Sequence, residues 1–242
     1  MPSYPGGVTS RPVRVDVAFT PAELAGAPVA IVVDVLRATS AIAQALASGY
    51  RRVLCCEEVE QARSLRAERG EGVLGGERGA VLIPGFDLGN SPREYVEPRA
   101  ETVILTTTNG TRAIVAAAAV CGRVLAGSLL NLEAAVGSAR EGGEDVTVVC
   151  AGREGSFVLD DAYCAGRLAE LLGGRRTDSA EAALRLAGSF PGAEKALAAS
   201  SSAENLRVNG LASDIAWCAR ESVCAVVPRF AGMDGVAAEI RL

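Results

Sequence analysis

The chain has 242 residues, 24 basic against 29 acidic side chains, a net charge of −5, and no histidine. Without histidine there is no Ser-His-Asp or Cys-His nucleophile system, no histidine acid–base step, and no commonest ligand for zinc, copper or non-haem iron. The acidic balance argues against a general nucleic-acid or membrane-surface binder, so no nucleic-acid and no membrane partner is expected.

In chain order, MPSYPGGVTSRPVRV lacks the apolar core of a signal peptide, and the longest apolar run, residues 113–121, is too short to span a bilayer. A cytoplasmic protein is the expectation. Residues 13–19 read as a first strand, and 29–33 as a β-branched strand buried on both faces. Residues 38–48 read as a helix ended by Gly49, 53–56 as a strand, 59–69 as a helix, and 73–74 as a short strand before a Gly-rich turn. Then come strand 102–106, helix 111–120, strand 124–126, helix 132–140 and strand 146–150. This alternation predicts an α/β fold, three-layer α/β/α, with a largely parallel or mixed sheet. From residue 159 the pattern turns helical. Asp160-Asp161 lead a helix through 172, followed by helices 177–186, 194–209 and 211–220 and closing strands 223–227 and 236–242. No linker divides the chain, so residues 1–242 form one domain with a helical C-terminal part at about 159–220. The seven cysteines form no C-x-x-C pair and read as small buried thiols.

The order contains an internal duplication of β-loop-α units. Residues 30–42 lie over 103–114, with Thr39 beside Thr111 and Ala41 beside Ala113. Residues 51–62 run beside 122–134, and Gly75-Gly76-Glu77-Arg78-Gly79 matches Ala151-Gly152-Arg153-Glu154-Gly155. The related halves span about 28–80 and 101–156. Equivalent loops would then face one crevice, since ligands of open α/β sheets sit at the carboxyl ends of strands.

Five loops carry candidate chemistry. Asp34 closes a strand, where a carboxylate can ligate Mg²⁺ or attack phosphorus, and Arg37 can fork onto phosphate; Asp34 or Thr39 can equally cap the following helix. Phosphatases of the haloacid-dehalogenase type carry a second aspartate two residues on, where this chain has Leu36. The threonine-rich loop with Asn109, Gly110, Thr111 and Arg112 opens a helix whose free N–H groups suit an anion; a Thr-capped helix is the plainer reading. Glu77 and Arg78, and their counterparts Arg153 and Glu154, offer a carboxylate and a guanidinium on glycine loops that let backbone approach a ligand, or else solvated turns with local ion pairs. Ser91, Pro92 and Glu94 spell a capping box, leaving Asp87 and Asn90 free to face the crevice. Asp160 and Asp161 either complement the dipole of their own helix or supply the paired carboxylates of an Mg²⁺ site. The segment Gly70–Gly75 fits G-x-G-x-x-G but opens no helix, and no P-loop or G-x-S-x-G is present.

VDVLRATS, GGERG, IPGFDLGNSPREY, TTTNGTRAI, GSLLN, CAGREG and LDDAYCAG occur in this order over about residues 29–166. Together they resemble the 2-phosphosulfolactate phosphatase family. The resemblance implies a phosphoric monoester hydrolase: an Mg²⁺-dependent enzyme of coenzyme M biosynthesis that hydrolyses 2-phosphosulfolactate to 3-sulfolactate and phosphate. Read onto this chain, Asp34, Arg37, Glu77 and Asp161 are catalytic, and Asp34, Glu77, Asp160 and Asp161 hold the metal. Arg78, Asn109, Gly110, Thr111, Arg112, Ser128 and Arg153 bind a small anionic phospho-substrate. Two other readings stay open: a phosphatase of the same fold for another small phospho-carboxylate, and a non-catalytic anion-binding protein. A homodimer is the base-rate expectation.

Overall fold

A computed structural model describes residues 12–242. The reading of the extreme N-terminus therefore falls largely outside the described residues. The first half holds strands β1 (Arg14–Ala18) and β2 (Val29–Val33), helix α1 (Ala38–Ala47), β3 (Arg52–Cys56), α2 (Val59–Arg69), β4 (Val73–Arg78) and β5 (Val81–Leu82). A 3₁₀ turn at Pro92–Tyr95 leads to β6 (Thr102–Thr106), α3 (Gly110–Val120), β7 (Arg123–Gly127), α4 (Leu132–Arg140) and β8 (Val146–Cys150). The rest is α5 (Leu159–Leu172), β9 (Arg175–Arg176), α6 (Asp178–Gly188), α7 (Ala193–Ala198), α8 (Ser201–Val208), α9 (Ser213–Cys218), β10 (Arg229–Asp234) and β11 (Ala237–Arg241).

The described strands form one mixed sheet in the order β5-β4-β6-β3-β11-β10-β7-β2-β8-β1-β9. Strands β4, β6 and β3 run parallel to one another, as do β7, β2, β8, β1 and β9. The antiparallel hairpin β10–β11 sits between these two blocks, pairing with β7 on one side and β3 on the other. Outward from the hairpin, β3-β6-β4 on one side mirrors β7-β2-β8 on the other, each strand facing its counterpart in the other half of the sequence. Each half has exchanged its first strand: β2 lies between β7 and β8, and β6 lies between β3 and β4.

Alternation along the strands builds the layers. Val29, Ile31 and Val33 face a core with Leu132, Ala135, Leu168 and Ala169 of α4 and α5. Ala30 and Val32 face the opposite core, with Ile42 of α1 and Ile114 of α3. Leu54, Cys56 and Ile104 pack on Ala62 and Leu65 of α2. Both faces of the central strands are apolar, as the run 29–33 requires. All seven cysteines are free thiols, and all but Cys121 are buried.

Several sequence expectations are corrected. The strand expected at 73–74 continues through the glycines to Arg78. Those glycines make room for protein, not ligand: a Cβ on Gly75 would meet the Tyr95 hydroxyl at 2.2 Å, and one on Gly76 the Thr106 carbonyl at 2.2 Å. The helix expected over 194–209 is two helices, because Ser200 accepts a hydrogen bond from Ala203 N at 3.0 Å and caps α8. Residues 223–227 are not a strand. Ser222 N and Cys224 N donate instead to Leu129 and Leu130 of the turn before α4. The capping box at Ser91 does not form: Ser91 makes no side-chain cap, and Glu94 accepts from Gly89 N at 2.7 Å.

Helices α5 and α6 touch at Gly166, where a Cβ would lie 2.1 Å from the Ala183 carbonyl oxygen. Gly166→Ala is therefore expected to overpack this contact at a cost of about 1–3 kcal/mol. A thermal melt should show a loss of roughly 5 °C. The crevice described below does not include this contact, so what the crevice does in the folded protein should stay unchanged.

Candidate active site

The strand ends place the site. Strands β2 and β6 belong to blocks that run in opposite senses, five steps apart in the sheet. A twist of about 20–25° per step accumulates to roughly 100–125° over that distance, which brings their carboxyl ends toward each other. They meet closely. A Cβ on Gly110, the first residue of α3, would lie 2.7 Å from Asp34 Oδ2 and 2.5 Å from the Ala38 Cβ. Only glycine lets the two loops come this near.

The loops enclose a crevice of about 120 Å³. Asp34, Arg37, Glu77, Asn109, Arg153, Asp160 and Asp161 all line it, as the sequence predicts. The N-terminal ends of α1, α3, α5 and α8 contribute to its wall through Arg37, Asn109, Asp160 and Ser202. The positive dipole ends of four helices therefore gather around one small volume.

Asp34 caps the helix that follows it and also lines the crevice. Its Oδ1 accepts from Ala38 N at 3.1 Å and so caps α1, while Oδ2 faces Gly110. The Thr39 hydroxyl donates to the Asp34 carbonyl and accepts from the Asp34 amide, fixing the turn. Burial raises the Asp34 pKa to about 7, and the charges of Asp160 and Glu77 add to the rise. Asp160 is 1% exposed and rises to about 6, chiefly by burial, with the Ser202 and Ser200 hydroxyls pulling the other way. Its Oδ1 has no hydrogen-bond partner. Burial, then the neighbouring Asp160 and Asp34, push Asp161 well up too. Asp161 is a brace between loops: Oδ1 accepts from Val35 N at 2.9 Å and Oδ2 from Gly152 N at 3.0 Å. Glu77 likewise takes Ala80 N at 2.7 Å on one oxygen and Thr108 N and Oγ1 on the other. Asn109 Oδ1 accepts from Glu154 N at 3.1 Å, tying the α3 loop to the Arg153 loop.

Five expected substrate-binding residues do not line the crevice; one is Gly110, whose missing side chain makes room for Asp34 and Ala38 instead of a ligand. Arg78 folds back, donating to the carbonyls of Glu77 and Glu57 and to Thr106 Oγ1, and so supports the loop from outside the crevice. Arg112 is exposed and pairs with Glu58 and Glu57. Thr111 is buried against Thr107 Oγ1, closing the first turn of α3. Ser128 is fully buried and hydrogen-bonded with Asn131 in a capping box. Loop position suggested these residues, but the direction of each side chain is set by partners that the local sequence does not reveal. Asp87, read as free, accepts from Leu74 N at 2.8 Å on the exposed side. Asn90 does line the crevice, 4% exposed, with an unpartnered Oδ1.

The structure adds Ser202, Asn205 and Glu154 to the wall. Glu154 stands in a motif already singled out, whereas Ser202 and Asn205 arrive on α8, and a serine run is too common to mark them in sequence. Arg112→Ala should leave kcat/KM within about twofold of wild type and stability within about 0.5 kcal/mol, as for an exposed, screened ion pair. Steady-state kinetics and a thermal melt check both.

Five carboxylates, Asp34, Glu77, Glu154, Asp160 and Asp161, face two guanidiniums, Arg37 and Arg153. Among the described residues no three acidic or cysteine side chains converge on a ready-made metal cage. Hard oxygens predominate, and two buried acceptor atoms, Asp160 Oδ1 and Asn90 Oδ1, still lack a partner. Such a donor set fits a hard divalent cation that keeps its waters and takes only one or two carboxylates.

Buried carboxylates, two guanidiniums and four helix N-termini around one crevice, in a chain without histidine, fit an α/β enzyme that works on small anions. Comparison with known sequences gives the particular group: residues 17–232 match the model of the 2-phosphosulpholactate phosphatase family. A Thermus thermophilus protein named "probable 2-phosphosulfolactate phosphatase" is 41% identical over 232 residues, covering 93% of this chain and 96% of its own. Proteins of the same name from Pseudothermotoga lettingae and Carboxydothermus hydrogenoformans are 38% and 37% identical, each covering 89% of this chain and 95% and 92% of their own. The chain belongs to the 2-phosphosulpholactate phosphatase family, a family of phosphoric monoester hydrolases. Among the described residues no helix is long and apolar enough to cross a membrane.

Proposed function

We propose that the protein hydrolyses 2-phosphosulfolactate to 3-sulfolactate and phosphate, with Mg²⁺ as its cofactor. One observation carries the reading beyond the family: five carboxylates and two guanidiniums share a crevice rimmed by four helix N-termini. An anionic substrate would be repelled by such a wall unless a cation came with it or the carboxylates were protonated. Asp34 and Asp160 would hold the cation, with Glu77 beside them and Asn90 Oδ1 as a neutral donor. Bound there, Mg²⁺ supplies charge neutralisation and polarises the phosphoryl oxygens.

The chain's own residues do the rest. Arg37 stabilises charge on the equatorial oxygens in the transition state. Arg153 and Asn109 hold the substrate's further anionic groups at the crevice mouth. Asp161 braces the Val35 and Gly152 amides and thereby sets the spacing of the two loops. Burial raises Asp34 to about 7 in the metal-free protein; a cation held there would draw it down, so its carboxylate serves as a ligand rather than as the proton acceptor.

The test is phosphate release from 2-phosphosulfolactate by purified protein with Mg²⁺, compared with phospholactate and phosphoglycerate. The expected result is turnover that EDTA stops, with the sulfonate-bearing substrate preferred. A higher kcat/KM on phosphoglycerate would reassign the substrate. Full turnover in EDTA would remove the metal.

A further inference from the structure

Arg37 is 4% exposed, and a guanidinium is tolerated at that depth only when its charge is paired and its N–H groups are bonded. Its Nη1 donates to Asp214 Oδ2 at 2.7 Å and its Nη2 to the Ala80 carbonyl at 3.2 Å. Asp214 lies 177 residues further along, in α9, and is 1% exposed. Its other oxygen, Oδ1, accepts from Ser91 Oγ at 2.6 Å, and Ser91 is itself 4% exposed. Each carboxylate oxygen thus has a donor, one from the loop opening α1 and one from the turn at Pro92–Tyr95. Helix α9 is clamped to both neighbours: Trp217 Nε1 donates to Gln44 of α1 at 3.3 Å, and Arg93 Nη1 donates to Ser213 Oγ.

Two of the five N–H donors of Arg37 are engaged by protein in this way. An arginine side chain has many rotamers, but a planar fork held at one edge presents its other donors in a fixed plane. That plane borders the crevice, since Arg37 lines it while Asp214 does not. A buried ion pair is weak evidence of stabilisation, because apolar side chains often do as well. Its placement directly behind a crevice arginine calls for another reason.

We infer that Asp214, backed by Ser91, is a positioning residue that aims the Arg37 guanidinium at the anion in the crevice. The inference rests on the role given to Arg37 above. It assigns the C-terminal helical segment a part in the reaction: α9 supplies the counter-charge, and the turn at Pro92–Tyr95 fixes that counter-charge in place.

Two readouts test it on the full chain: phosphate release from 2-phosphosulfolactate with Mg²⁺, and binding of inorganic phosphate by calorimetry. Asp214→Asn should lower kcat/KM about a hundredfold, as expected for a misaimed group. Ser91→Ala keeps the ion pair and should lower it about fivefold, the worth of one hydrogen bond. The double variant Arg37→Ala/Asp214→Asn should be no worse than Arg37→Ala, because a positioning residue has nothing left to position. Added guanidinium should restore part of the activity of Arg37→Ala but not of the double variant, a difference that a purely structural Asp214 would not produce. Wild-type kinetics in Asp214→Asn, additive losses, or equal rescue with and without Asp214 would each overturn the inference. If Asp214→Asn does not fold, the same comparison in Ser91→Ala and Arg37→Ala/Ser91→Ala decides it, and rescue undiminished without Ser91 counts against it. If the wild type releases no phosphate from this substrate, the functional reading fails. The inference is then judged on phosphate affinity, which must fall in Asp214→Asn as far as in Arg37→Ala.

Discussion

Asp34→Asn is expected to abolish turnover and to raise the melting temperature at pH 8. The loss should be roughly three orders of magnitude in kcat, the usual worth of a metal-holding carboxylate. The gain follows from the same burial. Asp34 has its pKa raised to about 7, so at pH 8 the folded chain holds a carboxylate charge that burial and the nearby Asp160 and Glu77 oppose. Asparagine has the same shape, and its Oδ1 can still accept from Ala38 N, the bond that caps α1. It removes only the charge. The expected stabilisation is about 1–3 kcal/mol, or roughly 3–8 °C in a chain of this size. Phosphate-release kinetics and thermal melts at pH 8 without divalent cation check the two halves together. An active Asp34→Asn would remove Asp34 from the reaction, and a destabilised one would show that its charge is compensated in the folded state.

Such a separation is expected at functional sites, where local rules are broken and the cost is met elsewhere. It also marks what was legible in the sequence. Continuous apolar runs such as Val29–Val33 and Val146–Cys150 form central strands because nothing but a doubly covered sheet can bury them. Helices α2 and α4 were legible over the spans they take, 59–69 and 132–140. Of the hairpin, β11 was legible as the closing run 236–242, but β10 was not. Strand β10 alternates between exposed and half-exposed residues, so it shows no apolar run. The hairpin's place between β3 and β7 is a long-range pairing with no local signal. The apolar run at 223–227 was the more strand-like by composition, yet its amides serve the turn before α4.

The site divides the same way. Residues at the carboxyl ends of strands could be named because topology points them at one crevice: Asp34, Glu77, Asn109 and Arg153. Arg78 and Arg112 sit one and three residues beyond such positions and turn outward to Thr106 and Glu58. Along a strand the side-chain direction reverses at each residue, and in a helix it turns by about 100°, so one step decides between ligand and strut. Asn90 was legible from its loop, but Ser202 and Asp214 come from segments far away in sequence, and only the packed fold shows what they face.

The second large effect is on pH. Without divalent cation the protein should lose stability as pH rises from about 5 to about 8, against the usual acid-labile trend. Unfolded aspartates titrate near 3.9. In the folded chain Asp34 titrates at about 7 and Asp160 at about 6, and Asp161 is raised as well, all chiefly by burial. Between those limits the folded state holds protons that the unfolded state has released. The slope of stability with pH follows the protons bound unfolded minus those bound folded, which is negative here, so stability falls through this window. Asp16 works in the opposite sense. Burial opposes its ionisation, but the Thr177 and Ser179 hydroxyls, Val17 N and Arg14 outweigh burial and lower its pKa. Its contribution is present above the ordinary aspartate range and lost on acidification, which limits stability on the acid side. The melting temperature should therefore peak near pH 4, where the unfolded aspartates titrate, and drop by about 5–10 °C between pH 5 and pH 8, on the usual scale of 2–4 °C per kcal/mol. A net charge of −5 adds some general repulsion at higher pH. The Asp34→Asn variant separates the two contributions: its melting curve against pH should be clearly flatter than wild type, although its net charge differs by only one. A wild-type slope retained in full by Asp34→Asn would mean that the crevice carboxylates are not its source.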